Sequence, residues 1–372
     1  GEDPYQHEGH SEHNDWAAWE RQEPSPVDNG DVNGSGTDFW HRFREDFARA
    51  ASDGHSSHRI GFEWSRIEPQ PGVYDEEAIA TYVSMLRCMK EEHGFVTFAN
   101  IWHYTLPPWA SEMGGFEHPD FMARWESYVQ KCAECFAPWV DYWSTMIDSQ
   151  IYALAGHMIG EIPPGVKDPK RALAVYQMLI HAHVRAYRIL KEKAVRDDEP
   201  DFVPQVGQIY FFFDYHRKGL FVDRVVERLF ENVFNWAYLD GVIKGEVDLF
   251  VPMERIRESN AELAGTMDFI GVNYFTRSVI AFDPLSPGFV SFKRQTPWLA
   301  SDMDWEIYPE GIYRLTKAIQ KRYGDIPQFI TECGLADHDD SRRPRFIIDH
   351  LAGVHRAIEE GCPIKGFCYW SL

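Results

Sequence analysis

The sequence has few basic residues and no basic run, and this shortage sets the first limits on its partners. Lysine and arginine number 37 against 58 aspartate and glutamate residues, which gives a formal net charge of −21. A surface this acidic repels nucleic acid and anionic membranes. The acidic excess is spread along the chain, so we interpret it as a solvated surface and not as an acidic tail.

Long apolar runs and paired cysteines are also lacking. No apolar run reaches the ~18 residues of a membrane span, and no signal peptide is recognisable, although Gly1 is not expected to be the native start. The six cysteines, at 88, 132, 135, 333, 362 and 368, do not form the pattern of a disulfide framework. Cys132 and Cys135 fall in a predicted amphipathic helix with no second ligand pair. We therefore expect a cytoplasmic protein that needs no metal or other cofactor.

Apolar strand-like segments alternate with longer segments of helical periodicity. The strands are predicted at 58–64, 95–102, 141–147, 205–213, 267–273, 327–331 and 364–370. This alternation favours a parallel sheet with helices outside it, and the number of strands favours a (β/α)8 TIM barrel. An incomplete first strand is expected to end within residues 1–6. A doubly wound sheet is disfavoured because no glycine-rich phosphate loop follows a strand.

No linker divides the chain, so residues 1–372 are predicted to form a single barrel domain. Long loops are expected at 20–37 and 278–304. In a barrel such loops cover the carboxyl ends of the strands, where they shape the pocket.

Two of the predicted strands stop on a carboxylate, Asp148 and Glu332. A pair of carboxylates is the minimum needed to cleave a glycosidic bond. Because the strand ends of a barrel face one pocket, polar and aromatic residues near the other strand ends are candidate sugar ligands: Gln6, Arg59, His103, Asn273 and Trp370. The aromatic content of 15% suits sugar binding, and it suits a large aromatic core equally well.

Several segments match the motifs of one enzyme family. They are Tyr5-Gln6-His7-Glu8-Gly9, Trp64-Ser65-Arg66-Ile67, His103-Tyr104-Thr105-Leu106-Pro107, Gly271-Val272-Asn273-Tyr274-Phe275, Trp305-Glu306-Ile307-Tyr308-Pro309-Glu310-Gly311, Thr331-Glu332-Cys333-Gly334 and Tyr369-Trp370-Ser371-Leu372. Through these motifs the chain resembles family 1 of the glycoside hydrolases over most of its length. The resemblance implies a retaining enzyme of the β-glucosidase and β-galactosidase type, acting on a carbohydrate or glycoside.

The resemblance also implies a role for each candidate residue. Glu332 would be the nucleophile that forms a glycosyl-enzyme, and Asp148 would occupy the acid/base position. Arg59 would keep Glu332 ionised through its adjacent positive charge. The remaining candidates would bind the sugar or frame its pocket: Gln6, His103, Asn273, Trp370, Trp305, Ile147 and Phe275.

The chain departs from the family pattern at several positions. Ile147-Asp148-Ser149 stands where the family has Asn-Glu-Pro, so the acid/base arm is one methylene shorter and an amide that contacts the sugar 2-hydroxyl is missing. Phe275 replaces a tyrosine whose phenol touches the nucleophile. The chain also stops at Leu372, before a family segment that recognises outer hydroxyls, so we expect an incomplete C-terminal tail. These departures predict an unusual specificity.

Three functions are compatible with these residues. The first is hydrolysis of β-glycosides through Glu332 and Asp148. The second is transfer of the sugar to an alcohol, lipid or natural-product acceptor, for which Phe211-Phe212-Phe213 and Trp298 are candidate channel residues. The third is a sugar-binding protein whose acid/base has decayed. The presence of both Glu332 and Arg59 favours chemistry over binding alone.

Overall fold

The computed structural model describes residues 7–9, 11–251, 254–285, 290–293, 296 and 299–371. The chain divides into two compact units, residues 1–208 and 209–372. One strand, β4 (Gln205–Phe211), begins in the first unit and ends in the second. This division does not test the single-domain assignment, which stays a prediction.

The first unit alternates strands with helices. Its strands, neighbours in chain order, are β1 (Ser57–Gly61), β2 (Val96–Trp102), β3 (Tyr142–Ile147) and the start of β4. β2 pairs in parallel with both β1 and β3. The helices are α1 (Asp15–Glu20), α2 (Phe39–Ser52), α3 (Trp64–Ile67), α4 (Glu76–Arg87), α5 (Pro108–Met113), α6 (Phe121–Phe136), α7 (Ser149–Leu154) and α8 (Pro169–Lys193).

Side-chain caps fix where two of these helices begin. The carboxylate of Asp75 accepts the backbone N–H groups of the first turn of α4, and that of Asp168 does the same for α8. Such caps satisfy amide groups that have no partner within the helix. Both helices therefore start where the sequence supplies an acidic cap.

The second unit continues the alternation and adds two smaller sheets. Its strands are the end of β4, β5 (Asp214–Arg217), β6 (Glu246–Val251), β7 (Glu254–Ser259), β8 (Phe269–Asn273), β9 (Arg277–Phe282), β10 (Val290–Lys293), β11 (Gln328–Glu332) and β12 (Ile364–Phe367). The order β4-β8-β11-β12 forms the main sheet, in which β11 pairs in parallel with β8 and β12. The helices are α9 (Phe221–Glu231), α10 (Ala237–Lys244), α11 (Glu310–Tyr323) and α12 (Arg343–Glu359).

All seven predicted barrel strands are confirmed, within a few residues at their ends. The long insertion predicted at 278–304 contains secondary structure that the sequence did not indicate, because β9 pairs with β10 there as an antiparallel hairpin. The first strand expected before residue 7 lies outside the described residues.

Within the described part of the chain, each helix is too short or too polar to cross a membrane. The six cysteines are unpaired thiols. The cytoplasmic location stays a prediction.

Tyr274 joins the end of β8 to the start of α11. Its buried phenol donates a hydrogen bond to the carbonyl oxygen of Tyr308 at 2.6 Å. A Cβ atom at Gly311 would lie 1.9 Å from the phenol oxygen, so position 311 requires glycine. Burial raises the pKa of the Tyr274 phenol well above its usual value.

Candidate active site

Glu332 is the last residue of β11 and is 3% exposed. It lies in register with Asn273, the last residue of β8. The hydroxyl of Thr331 donates to the side-chain oxygen of Asn273 at 2.8 Å, and the Tyr274 N–H donates to the Glu332 carbonyl oxygen at 2.9 Å. These bonds fix the backbone around Glu332 on both sides, so its carboxylate is held at the end of a rigid strand.

Aromatic rings surround this end of the second unit. The ring of Phe275 lies 5.2 Å from that of Trp370, 5.6 Å from that of Trp305 and 5.5 Å from that of Phe211. We call these four residues the aromatic cluster. The indole Nε1 of Trp370 is buried and has no hydrogen-bond partner among the described residues. A buried donor of this kind is costly unless a ligand accepts its hydrogen bond.

The backbone of Trp370 is pressed against Gly334, two residues after Glu332. The Trp370 N–H donates to the Cys333 carbonyl oxygen at 3.1 Å. A Cβ atom at Gly334 would lie 1.8 Å from the carbonyl oxygen of Trp370. The glycine of the Thr331-Glu332-Cys333-Gly334 motif therefore allows the Trp370 loop to approach the nucleophile strand.

We expect Gly334→Ala to destabilise the protein by about 1–3 kcal/mol, because the added methyl overlaps backbone atoms. It should also lower kcat/KM by displacing Trp370. Urea unfolding and aryl-glycoside kinetics measure the two effects. Gly324→Ala is the matched control, since Gly324 has a φ of +75° and no atom within 4 Å of the added Cβ. It should cost about 1–3 kcal/mol through backbone strain alone, because its φ of +75° and ψ of −145° favour glycine, and it should leave kinetics unchanged. Equal effects of the two variants on kcat/KM would contradict the contact.

Trp305 is positioned by a buried ion pair at the next residue. Glu306 accepts a hydrogen bond from Arg277 at 2.6 Å, and both side chains are buried. Burial favours the neutral acid, but the bonds from Arg277 and Thr296 together outweigh it and hold the pKa of Glu306 below its usual range. Removing either partner would leave an uncompensated buried charge, so this pair anchors the segment that carries Trp305.

Asp148 directly follows β3 in the first unit and is 4% exposed. It adopts the left-handed conformation, with φ 50° and ψ 42°, and precedes α7. Aspartate tolerates this conformation better than most residues. Its side chain does not cap α7. Ser149 is held instead by the side-chain amide of Gln208 from β4. Ile147, the last residue of β3, is fully buried.

His103 follows β2 and is buried at the start of a loop that a carboxylate stabilises. The Thr105 hydroxyl donates to Glu63 at 3.0 Å, and the Ser65 hydroxyl donates to the same carboxylate at 2.7 Å. Burial raises the pKa of Glu63. Glu63 thus connects the His103 loop to the segment after β1, a role that sequence reasoning missed.

A second buried carboxylate supports the loop that follows the N-terminal motif. Glu8 is 2% exposed and accepts a hydrogen bond from Arg66 at 2.9 Å. Burial raises the pKa of Glu8 to about 8, although Arg66 opposes this shift. Arg66 also donates to the Gly9 carbonyl oxygen at 2.5 Å and stacks on the Trp40 ring. Glu8 and Arg66 belong to two of the family-like motifs, and their spacing in the sequence gave no sign of the pair.

The structure brings together four predicted residues around Glu332 in the second unit: Asn273, Phe275, Trp305 and Trp370. The first unit carries Asp148, Ile147 and His103 at strand ends. Arg59 lies inside β1, two residues before its last residue, and is half-buried. Gln6 lies outside the described residues. One pocket shared by all of these residues stays a prediction.

The candidate acceptor residues have different surroundings. Phe211 belongs to the aromatic cluster, and Phe212 is fully buried. Phe213 is half-buried and contacts the rings of Tyr215 and Phe234. Trp298 lies outside the described residues.

Potential metal-ligand atoms lie within 4.8 Å of one another directly after α4, on Cys88, Glu92 and His93. Arg44 donates to Glu92 at 2.6 Å. The guanidinium charge opposes a cation at this place, so the group gives no support for a metal.

Comparison with known proteins gives a consistent assignment. The family model described as glycosyl hydrolase family 1 matches residues 2–372. A 1,4-beta-D-glucan glucohydrolase of Thermotoga neapolitana is 29% identical over 368 residues, covering 94% of this chain and 84% of the relative. A beta-glycosidase from Pyrococcus horikoshii has a TM-score of 0.85 at 30% identity and covers 98% of this chain and 82% of its own.

A beta-glucosidase from Thermotoga maritima in complex with glucoimidazole has a TM-score of 0.89 at 26% identity, covering 99% of this chain and 87% of its own. The fold is therefore a (β/α)8 barrel, and the protein is a glycoside hydrolase. The chain belongs to glycosyl hydrolase family 1, whose members include β-glucosidases and β-galactosidases. The predicted family, fold class and enzyme class are confirmed.

Proposed function

We propose that the protein hydrolyses β-glycosides with retention of configuration, through a covalent intermediate on Glu332. The observation that carries this proposal is the placement of Glu332 as a buried strand-end carboxylate, framed by Asn273 and the aromatic cluster. Aromatic faces suit the C–H faces of a sugar ring. The unpartnered indole N–H of Trp370 suits a hydroxyl group.

The proposed reaction has two displacements. A Glu332 carboxylate oxygen forms a bond to the anomeric carbon while the bond to the leaving oxygen breaks, and Asp148 gives its proton to that oxygen. Asp148 then takes a proton from water, whose oxygen attacks the anomeric carbon and releases Glu332. Two inversions give net retention.

Trapping of the intermediate tests this mechanism. Activated 2-deoxy-2-fluoro-β-glycosides of several sugars should increase the intact mass by one glycosyl group, and peptide mapping should find it on Glu332. Glu332→Gln should give no adduct. Glu310→Gln changes an exposed helix residue and should react like the parent. An adduct on another carboxylate would refute the assignment of the nucleophile.

We also propose that the sugar 2-hydroxyl contributes less here than in most of the family. Ile147 stands at the amide position and has no group that can hydrogen-bond to that hydroxyl. The usual contact strengthens in the transition state and is worth several kcal/mol. The substrate is then a glycoside whose 2-hydroxyl is absent, substituted or weakly recognised.

A ratio of kcat/KM values tests this specificity. An aryl β-glycoside and its 2-deoxy counterpart are compared in the parent and in Ile147→Asn, so that the intrinsic reactivity of the donors cancels. The variant should shift the preference toward the 2-hydroxylated donor by at least about tenfold. Ile147→Val, which keeps an apolar side chain, should leave the ratio unchanged. An unchanged ratio in Ile147→Asn would remove the basis of the specificity proposal without affecting the nucleophile assignment.

A further inference from the structure

The second unit carries a set of exposed apolar side chains to which no catalytic role has been assigned. They lie on α9, on the residue before it and on the β9–β10 hairpin. Phe221 is 83% exposed and Leu285 is 94% exposed. The other members are Leu220, Val222, Val225, Phe282 and Phe292. We call this set the apolar face. Contiguous exposed apolar surface of this kind marks an interaction site.

Helix α9 and the hairpin form one surface. The carboxylate of Asp223 accepts hydrogen bonds from the backbone N–H groups of Phe282 at 2.8 Å and Leu220 at 2.9 Å. At the other end of the helix, the ring of Phe230 lies 5.8 Å from that of Phe292. The helix is therefore attached to the hairpin at both ends, and the apolar face is continuous across them.

The exposed charges beside the apolar face are mostly positive, although half-buried Asp283 lies between Phe282 and Leu285, and Arg217 pairs with half-buried Glu227 at 3.5 Å. The exposed charged side chains beside the face are cations: Arg217, Lys218, Arg224, Arg228 and Lys293. The acidic residues of α9 are less accessible, since Asp223 is buried and Glu227 and Glu231 are half-buried. This local excess of positive charge contrasts with the net charge of −21 for the whole chain.

We propose that the apolar face docks on the surface of an anionic lipid bilayer. Exposed phenylalanine and leucine beside arginine and lysine is the composition of elements that lie in the membrane interface. Salt at physiological strength screens charges beyond about 8 Å, so cations next to the bilayer act more strongly than the acidic residues elsewhere. The net charge predicts repulsion, but its uneven distribution leaves this one face able to bind.

Sedimentation of the full chain with lipid vesicles tests the proposal. The protein should bind vesicles of phosphatidylcholine and phosphatidylserine in equal amounts, and bind more weakly to phosphatidylcholine alone. The pair Arg224→Glu and Arg228→Glu should lower the partition coefficient by at least about 20-fold, because each cation near an anionic surface contributes about a factor of five. Phe221→Ser should lower it by about tenfold.

Matched controls separate the apolar face from general surface effects. Phe250→Ser changes an exposed phenylalanine on the β6–β7 hairpin, and Lys321→Glu reverses an exposed cation on α11. Both should bind vesicles like the parent and keep its glycosidase activity. Absence of vesicle binding, or equal losses in the control variants, would overturn the proposal. Sedimentation velocity tests the competing explanation, in which the apolar face joins copies of the chain. Dissociation of an oligomer by Phe221→Ser would support that explanation and overturn the membrane proposal.

Discussion

Glu332→Gln should lower kcat/KM on aryl β-glycosides by at least about 10⁴-fold, the order of loss seen when a covalent nucleophile is removed. The amide has nearly the shape of the carboxylate but cannot supply the negative charge that attacks the anomeric carbon. The hydrogen bonds between Thr331 and Asn273 and between Tyr274 and the Glu332 carbonyl do not use the Glu332 side chain. Steady-state kinetics measures the loss of chemistry, and urea unfolding measures separately whether the variant keeps its stability.

Glu310→Gln is the control for this experiment. Glu310 lies in the first turn of α11, where its ion pair with Arg356 at 3.2 Å is largely solvated. The control should keep parental kinetics, since surface pairs contribute about 1 kcal/mol or less. Turnover by Glu332→Gln within a factor of ten of the parent would mean that another group is the nucleophile.

The loss of activity in Asp148→Asn should depend on the leaving group of the substrate. Alkyl β-glycosides need a proton on the departing oxygen, so their kcat/KM should fall by at least about 100-fold. Dinitrophenyl glycosides need no such proton, and their kcat/KM should fall far less. Their kcat should fall because deglycosylation has lost its base, and added azide, which needs no base, should restore it as a β-glycosyl azide.

Asparagine is the informative replacement because position 148 has a φ of 50°. Asparagine and aspartate both tolerate this conformation, so the variant removes the proton and keeps the backbone. Uniform loss across all leaving groups, without azide rescue, would point to a structural role for Asp148. Glutamate at this position would restore the usual arm length, but it would pay about 1–2 kcal/mol in backbone strain.

The barrel strands and long helices could be predicted because their periodicities are local. Each of the seven strands is a short apolar run between polar turns, and the acidic caps at Asp75 and Asp168 mark their helices. β6 alternates between exposed and buried residues and β7 between half-buried and exposed residues. The exposed face of this hairpin is largely charged, and the continuous apolar signal of a barrel strand is missing. The β9–β10 hairpin was missed because mixed polarity hides its pairing.

The sequence motifs predicted the two carboxylates of the candidate site, but they did not predict the residues that surround these carboxylates. Phe275 and Trp305 are 30 residues apart, and their ring contact depends on how the intervening insertion folds. The ion pairs between Glu306 and Arg277 and between Glu8 and Arg66 join residues that no local pattern connects. The close approach of Trp370 to Gly334 likewise belongs to packing and not to sequence spacing.

The phenol of Tyr274 is covered by the first turn of α11 and bonded to the Tyr308 carbonyl oxygen. Tetranitromethane attacks the phenolate form, and the raised pKa and burial keep that form rare in the folded state. Nitration of Tyr274 therefore requires α11 to separate from β8. The rate of nitration, followed by mass spectrometry, would report how often α11 separates from the end of β8 at Asn273.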